Sequence, residues 1–275
     1  VTRSSRYHSF RTSDHPTHPD TWAIRAEQVG TATSVAQAAT LVVRADASMV
    51  AFYVGQTKIH ASIRSPAGAW SEAHVIDSAV GPQAVLGAND TVHLAYYKTD
   101  GTIWYRRLMR DGTLTVPEQL ASGLQATRNA FGSVLPLIFI PKTNTVVILY
   151  RLATGLLWER RIVNDRALTP AVNVTDRAVI QSAVDSQQAG ADAVVHGETV
   201  HVLFIEQASR GIFSTNDAGG WQPSTLCVDR ILGSWVRGNI YIRHDGVKVY
   251  GYVYDAGSDG GAGMNRFGEV VLSGP

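Results

Sequence analysis

Apolar and polar residues alternate along this chain in short stretches, and one such stretch, closed by an aromatic residue, keeps returning. It reads MVAFYV, VHLAYY, VVILYR, VHVLFI and VYGYVYD, with Tyr53, Tyr96, Tyr150, Phe204 and Tyr254 in the same place. Period-2 alternation rich in Val, Ile, Tyr and Trp predicts strands, and helical periodicity is nearly absent. After each copy a short polar turn leads into a further strand, in TKIHASIR, GTIWYRRL, LLWERRI and RGIFST. Clusters such as Thr99-Asp100-Gly101, Arg110-Asp111-Gly112 and Asp217-Ala218-Gly219-Gly220 mark the turns.

The copies lie roughly 40 to 55 residues apart, and a repeat of that length with several strands per unit predicts a β-propeller. Each unit also has an inner strand (TLVVRA, PQAVLGA, LPLIFI, DAVVHG, NIYIRH) and a short outer one (EAHVID, PEQLA, AVNVTD, TLCVDR). The fifth unit ends at GEVVLSGP with no room for an outer strand, and TWAIRAEQV, near the other end of the chain, has Val29 in the corresponding place. The expectation is therefore an all-β, five-bladed β-propeller over residues 1–275, its ring closed by the N-terminal strand pairing with the last blade. Its parts are an arm at 1–20, a closing strand at about 21–30, and blades at about 38–77, 81–121, 132–176, 190–229 and 235–272. Ring closure removes the exposed edges of an open sheet.

Composition narrows the function. The chain is 45% hydrophobic and 17% charged, with a net charge of +1, so nothing electrostatic favours nucleic acid or an anionic membrane. No apolar run approaches the roughly 20 residues of a membrane span; the longest, from Val134 to Ile140, is broken by Pro136. Cys227 is the one cysteine, which excludes an internal disulfide; its setting, STLCVD, predicts a small buried hydrophobe. The sequons at Asn89 and Asn173 fit a secretory route, and the start at Val1 fits a processed or a trimmed chain.

Ser214-Thr215-Asn216-Asp217-Ala218-Gly219-Gly220-Trp221 resembles the Asp-box turn of sialidase-type propellers, with Trp221 one residue early. Ser65-Pro66-Ala67-Gly68-Ala69-Trp70 occupies the same place in the first unit without the aspartate. TDGTIWYRR and ATGLLWERR resemble the hairpins of propeller lectins, including fungal fucose-binding ones. The resemblance covers most of the chain and implies a fold, with Asp-boxes lying away from any active site. It brings no catalytic set: the Arg-Ile-Pro of sialidases is absent, and of the inner-strand carboxylates of arabinanase-like glycosidases only Asp192 comes near. The lectin-type sugar contacts also change from unit to unit, with Arg64, Arg106, Arg160 and a Ser/Thr at the places taken as equivalent.

By analogy with propellers, the ends of the second strands converge on the mouth of a central channel. They bring Tyr97, Lys98 and Asp100, then Arg151, then Glu206 and Arg210, then Asp255 and Asp259; the inner-strand entries bring Arg128, Asn129, Trp235 and Arg237. Aromatic faces that stack on a sugar ring and charged groups that hydrogen-bond its hydroxyls form a recognisable glycan-binding mixture. The expected partner is a glycan or other small polar ligand. A hydrolase would pair Glu206 with Asp255 or Asp259, since glycoside hydrolysis needs two carboxylates roughly 5 to 9 Å apart. A lyase would use His93 or His201 beside Tyr97. His93 and His201 occupy equivalent positions in two units, which favours a role in the repeat itself. A protein-interaction scaffold is a third reading. His8, His15 and His18 match no recognised ligand spacing, so no metal is expected, and no cofactor either: GSDGGAG lacks the Lys-Ser/Thr of a phosphate-binding loop.

Overall fold

The computed structural model describes residues 4–8, 27–32, 39–123, 137–179, 190–209, 211–229, 239–256 and 265–273. Strands account for nearly all the regular structure among them. The chain divides into two compact units, Val1–Pro82 and Gln83–Pro275.

In the first unit β1 (Ser4–His8) and β2 (Glu27–Ala32) form an antiparallel pair in which Ser4 faces Ala32. The N-terminal arm thus contributes a strand where none was expected. The segment foreseen as the closing strand has its described pairing with that arm. Its Val29 packs with Ala51 and Tyr53, with Trp70 against them. A four-stranded antiparallel sheet follows, in the order β3 (Ala39–Val43), β4 (Met49–Gly55), β5 (Lys58–Arg64), β6 (His74–Asp77).

The second unit carries four further sheets, the first opening on β7 (Val80–Leu86), which starts just before the unit boundary. It continues through β8 (Val92–Tyr97), β9 (Ile103–Leu108) and β10 (Glu118–Ala121). The next is β11 (Ile138–Ile140), β12 (Thr145–Arg151) and β13 (Leu157–Val163), whose outer edge is shared by two short strands, β14 (Ala167–Leu168) and β15 (Val172–Asn173). Then come β16 (Ala191–His196), β17 (Thr199–Ile205), β18 (Ile212–Asn216) and β19 (Thr225–Val228). Among the described residues the last sheet has three strands, β20 (Asn239–His244), β21 (Val249–Ala256) and β22 (Asn265–Ser273). Counting the sheet of the first unit, we call these the first to fifth sheets.

The recurring apolar stretches are the second strands, and their composition follows from burial on both faces. Every residue of β8 and of β12 is buried, whereas the third strands β9 and β13 mix buried and half-buried positions. In β17 the two faces serve different neighbours. Val202 and Phe204 pack with Val147, Leu149 and Leu157 of the third sheet. Leu203 and Ile205 pack with Ile242 and Val249 of the fifth. Because successive strand side chains point to opposite faces, one strand joins two packing layers.

Candidate functional site

The expected site residues divide into three groups. Arg128, Asn129, Arg210, Trp235, Arg237 and Asp259 lie outside the described residues. Asp255 pairs through its backbone with Arg266 in the last hairpin. Tyr97, Asp100, Arg151 and Glu206 are fully described.

Tyr97 ends β8 with its side chain inside the protein, 2% exposed, and burial pushes its phenol pKa up. Asp100 is exposed and shapes the turn: its Oδ1 accepts the Thr102 amide at 3.0 Å and the Thr102 hydroxyl at 2.5 Å. The Thr102 oxygen in turn accepts the Trp104 indole N–H at 2.7 Å, and Lys98 Nζ lies 4.4 Å from the Trp104 ring centre. This corner is satisfied from within.

Arg151 and Glu206 come together on one segment, Thr175–Val179, that straps the third sheet to the fourth. Val179 N–H donates to Gly155 O at 2.9 Å, and Gln207 N–H donates to Ala178 O at 2.7 Å. Val179 and Glu206 form an antiparallel bridge. Arg151 Nε donates to Val179 O at 3.0 Å, and the guanidinium is buried, which lowers its pKa. The strap runs so close to Gly155 that a Cβ there would stand 2.9 Å from Ala178 Cβ; with φ at +87°, glycine suits that turn on both counts.

Burial alone would raise the Glu206 pKa. Hydrogen bonds from Ser209 and from the Ala208 amide, with the positive charge of Arg177, outweigh it and hold the carboxyl below its usual range. Ser209 N–H lies 2.6 Å from Oε2. Arg177, exposed on the strap, rests its guanidinium 4.6 Å from the Phe213 ring centre. An ionised acceptor, an exposed guanidinium and an aromatic face thus meet between two sheets. Arg177 escaped the sequence reading because it lies in a segment with no repeat partner.

At the other end of these strands the sheets are joined by polar contacts. Arg161 donates to Glu159 through Nε and Nη2, both at 3.1 Å, and to Asp217 Oδ2 at 2.5 Å. Burial disfavours the Arg161 charge, but the two carboxylates raise its pKa beyond that loss. Asp217, the aspartate of the Asp-box-like turn, also accepts the Val200 amide at 2.6 Å. One repeat earlier, the guanidinium of Arg107 donates to the backbone carbonyl of Asp165 in the turn after β13.

The Asp165 carboxylate lies 3.2 Å from His93 Nε2, without hydrogen-bond alignment, while His93 Nδ1 is 2.6 Å from the Tyr105 hydroxyl. His93 is fully buried, and a Cβ on Gly87 would come within 2.3 Å of its ring. Its partner is therefore Tyr105, not Tyr97, and no substrate reaches the pair. His201 has its ring 6.5 Å from that of His196. Asp192 stands 2.9 Å from the Ala193 amide, 3.2 Å from the Ile242 amide of the next inner strand, and 3.3 Å from Arg243 Nη1. Its carboxylate serves the backbone.

Register also corrects an equivalence. Trp104 and Trp158 face Tyr96 and Tyr150, and His60 faces Tyr53. Two residues further on stand Arg106 and Arg160, but in the first sheet Ser62; Arg64 matches Leu108. Cys227 is half-buried, its Sγ 3.2 Å from Ser214 Oγ, and burial raises the thiol pKa. Among the described residues no group of three or more His, Cys, Asp or Glu side chains is arranged to hold a metal ion. No helix among them is long and apolar enough to cross a membrane.

Neither a family-wide sequence pattern nor a curated protein sequence matches the chain. Solved structures do. The SapL1 lectin, in complex with α-methyl fucoside, is similar at a TM-score of 0.55 and 14% identity, over 94% of this chain and 86% of that one. AofleA from Arthrobotrys oligospora is similar at 0.51 and 13%, over 90% and 73%. A Hadza microbial sialidase, Hz136, is similar at 0.47 and 11%, over 87% and 59%. At such identities the likeness speaks for architecture, and with the antiparallel four-stranded sheets it makes this an all-β chain of the β-propeller kind.

Proposed function

We propose that this chain is a secreted, lectin-like β-propeller that binds a glycan where β12 and β17 end. In this reading the five sheets are the blades of one ring, closed by Glu27–Ala32. The observation that supports the site is the meeting of Arg151 and Glu206 on one strap, with Arg177 exposed above Phe213 beside them. A carboxylate and a guanidinium offer directed hydrogen bonds to sugar hydroxyls, and the buried Phe213 ring supports the exposed Arg177 guanidinium. The depressed Glu206 pKa favours an ionised acceptor over a proton donor, so Glu206 suits hydrogen bonding and not the part of a general acid.

A glycan array containing α-fucosides tests this, with Glu206→Gln and Arg177→Ala beside the unaltered protein. Both variants should fold normally and bind at least about tenfold more weakly, as losing a charged hydrogen bond implies. Binding untouched by either would move the site elsewhere. No binding to any glycan would sink the carbohydrate reading and leave a protein-interaction scaffold.

A further inference from the structure

The fourth and fifth sheets are joined differently from the two pairs before them. In the second and third sheets an arginine, Arg107 or Arg161, stands three residues after Trp104 or Trp158 and reaches across to the next sheet. In the fourth sheet Phe213 holds the tryptophan position, facing Phe204. Three residues further on stands Asn216, whose Oδ1 turns back to the Ala218 amide at 3.1 Å. The permanent cation is gone.

Three imidazoles gather at that end instead. Leu203 of β17, Val194 of β16 and Ile242 of β20 share one cluster, and alternation puts His201, His196 and His244 on the same faces. The ring centres of His196 and His244 are 5.5 Å apart, and those of His196 and His201 6.5 Å. His196 Nε2 donates to Gly246 O, in the turn after β20, at 3.1 Å. His201 is buried, His196 half-buried and His244 exposed, so protons reach the group from solvent.

The carboxylates nearby are already engaged. Asp217 accepts from Arg161 and from the Val200 amide, and Glu198 pairs with Lys142 of the third sheet. Asp245 accepts the Val247 and Lys248 amides and the Tyr250 hydroxyl, each at 2.8 Å. Asp192, Glu206 and Asp229 lie toward the other ends of their strands. Arg243 and Lys248 bring positive charge from the fifth sheet, while burial keeps Cys227 of β19 a neutral thiol. Burial and the charge of His196 lower the His201 pKa, against the pull of Asp217.

We propose that His196, His201 and His244 form an acid-sensitive latch: protonated together they repel, and the inner strand of the fifth sheet parts from the fourth while the other sheets stay packed. Once the strand has parted, each imidazole meets water and charges near pH 6.5, as free imidazoles do. The opened form then binds more protons than the closed one, so opening grows easier as pH falls below that value. The latch is independent of the glycan reading, which concerns the junction of the third and fourth sheets.

The Ile242 amide, which donates across this junction to Asp192 at 3.2 Å, is the reporter. NMR measures its hydrogen-exchange protection, corrected for the pH dependence of chemical exchange. Between about pH 7.5 and about pH 5.5 protection should fall at least about tenfold, the effect of one proton taken up over one pH unit. In the double variant His196→Gln, His244→Gln the fall should shrink about tenfold. His244→Gln alone, at an exposed position, should lessen it too. His93→Gln, which alters a different junction, should leave it unchanged. No fall in the parent would overturn the proposal. An equal fall in the histidine variants would do so as well, because protonation of Asp192 then releases the amide. If His93→Gln lessened the fall as much as they do, global unfolding would take the place of a local latch.

Discussion

Arg107 and Arg161 stand at the same place in successive repeats, and each reaches into a turn of the next sheet. Around Arg161 the charges close: Glu159 on its own strand and Asp217 across the junction both accept from it. Around Arg107 they do not. The position of Glu159 is held by Tyr105, and the aspartate across the junction faces His93 instead. Two exchanges, Tyr105 for Glu159 and His93 for Val147, thus separate an ionic joint from one built on a buried neutral imidazole. Repeats that share a backbone need not share a means of holding to their neighbours.

Acidification should break the comparison most strongly. Burial lowers the His93 pKa from 6.5 to about 4, partly offset by Asp165. The unfolded chain takes up a proton below pH 6.5 while the folded chain resists until about pH 4, so stability present at neutral pH is lost as pH falls through that window. The loss reaches about 3 kcal/mol for such a shift. Burial lowers the His201 pKa as well, which adds in the same sense. Denaturant midpoints measured from pH 7 to pH 4 should therefore fall steeply in the parent and less so in His93→Gln. Equal slopes would disprove the role of the second junction.

Next in size, Asp217→Ala should cost about 2 kcal/mol, since it strips a partner from Arg161 and an acceptor from the Val200 amide together. Equilibrium unfolding checks this, and a change under about half a kcal/mol would mean that Glu159 alone suffices. The smallest effect should come from Tyr105→Phe. It removes one neutral hydrogen bond to His93, about 1 kcal/mol, and should make the imidazole easier to protonate. An NMR titration of His93 reads that shift directly.

The strands were legible because burial on both faces writes itself into the sequence as apolar runs, as in VVILYR and VHVLFI. The partner of Glu27–Ala32 was not, since TWAIRAEQV says that a strand forms but not what it pairs with. Of the candidate residues, Arg151 and Glu206 were singled out through strand ends, which recur, and both meet the strap. Arg177 and the strap were missed because they fall between repeats, where no alignment of units applies. The joints were half seen: Asp217 was recognised as a turn aspartate, but its partner is Arg161, one residue past the Arg160 that the lectin comparison singled out.

Asp192 has a consequence for how the fourth and fifth sheets hold together. Its carboxylate accepts the backbone amide of Ile242, a buried residue on the first strand of the fifth sheet. A buried amide left without an acceptor costs free energy. Because the neighbouring sheet supplies that acceptor, prising the two sheets apart would strand a donor as well as expose apolar surface.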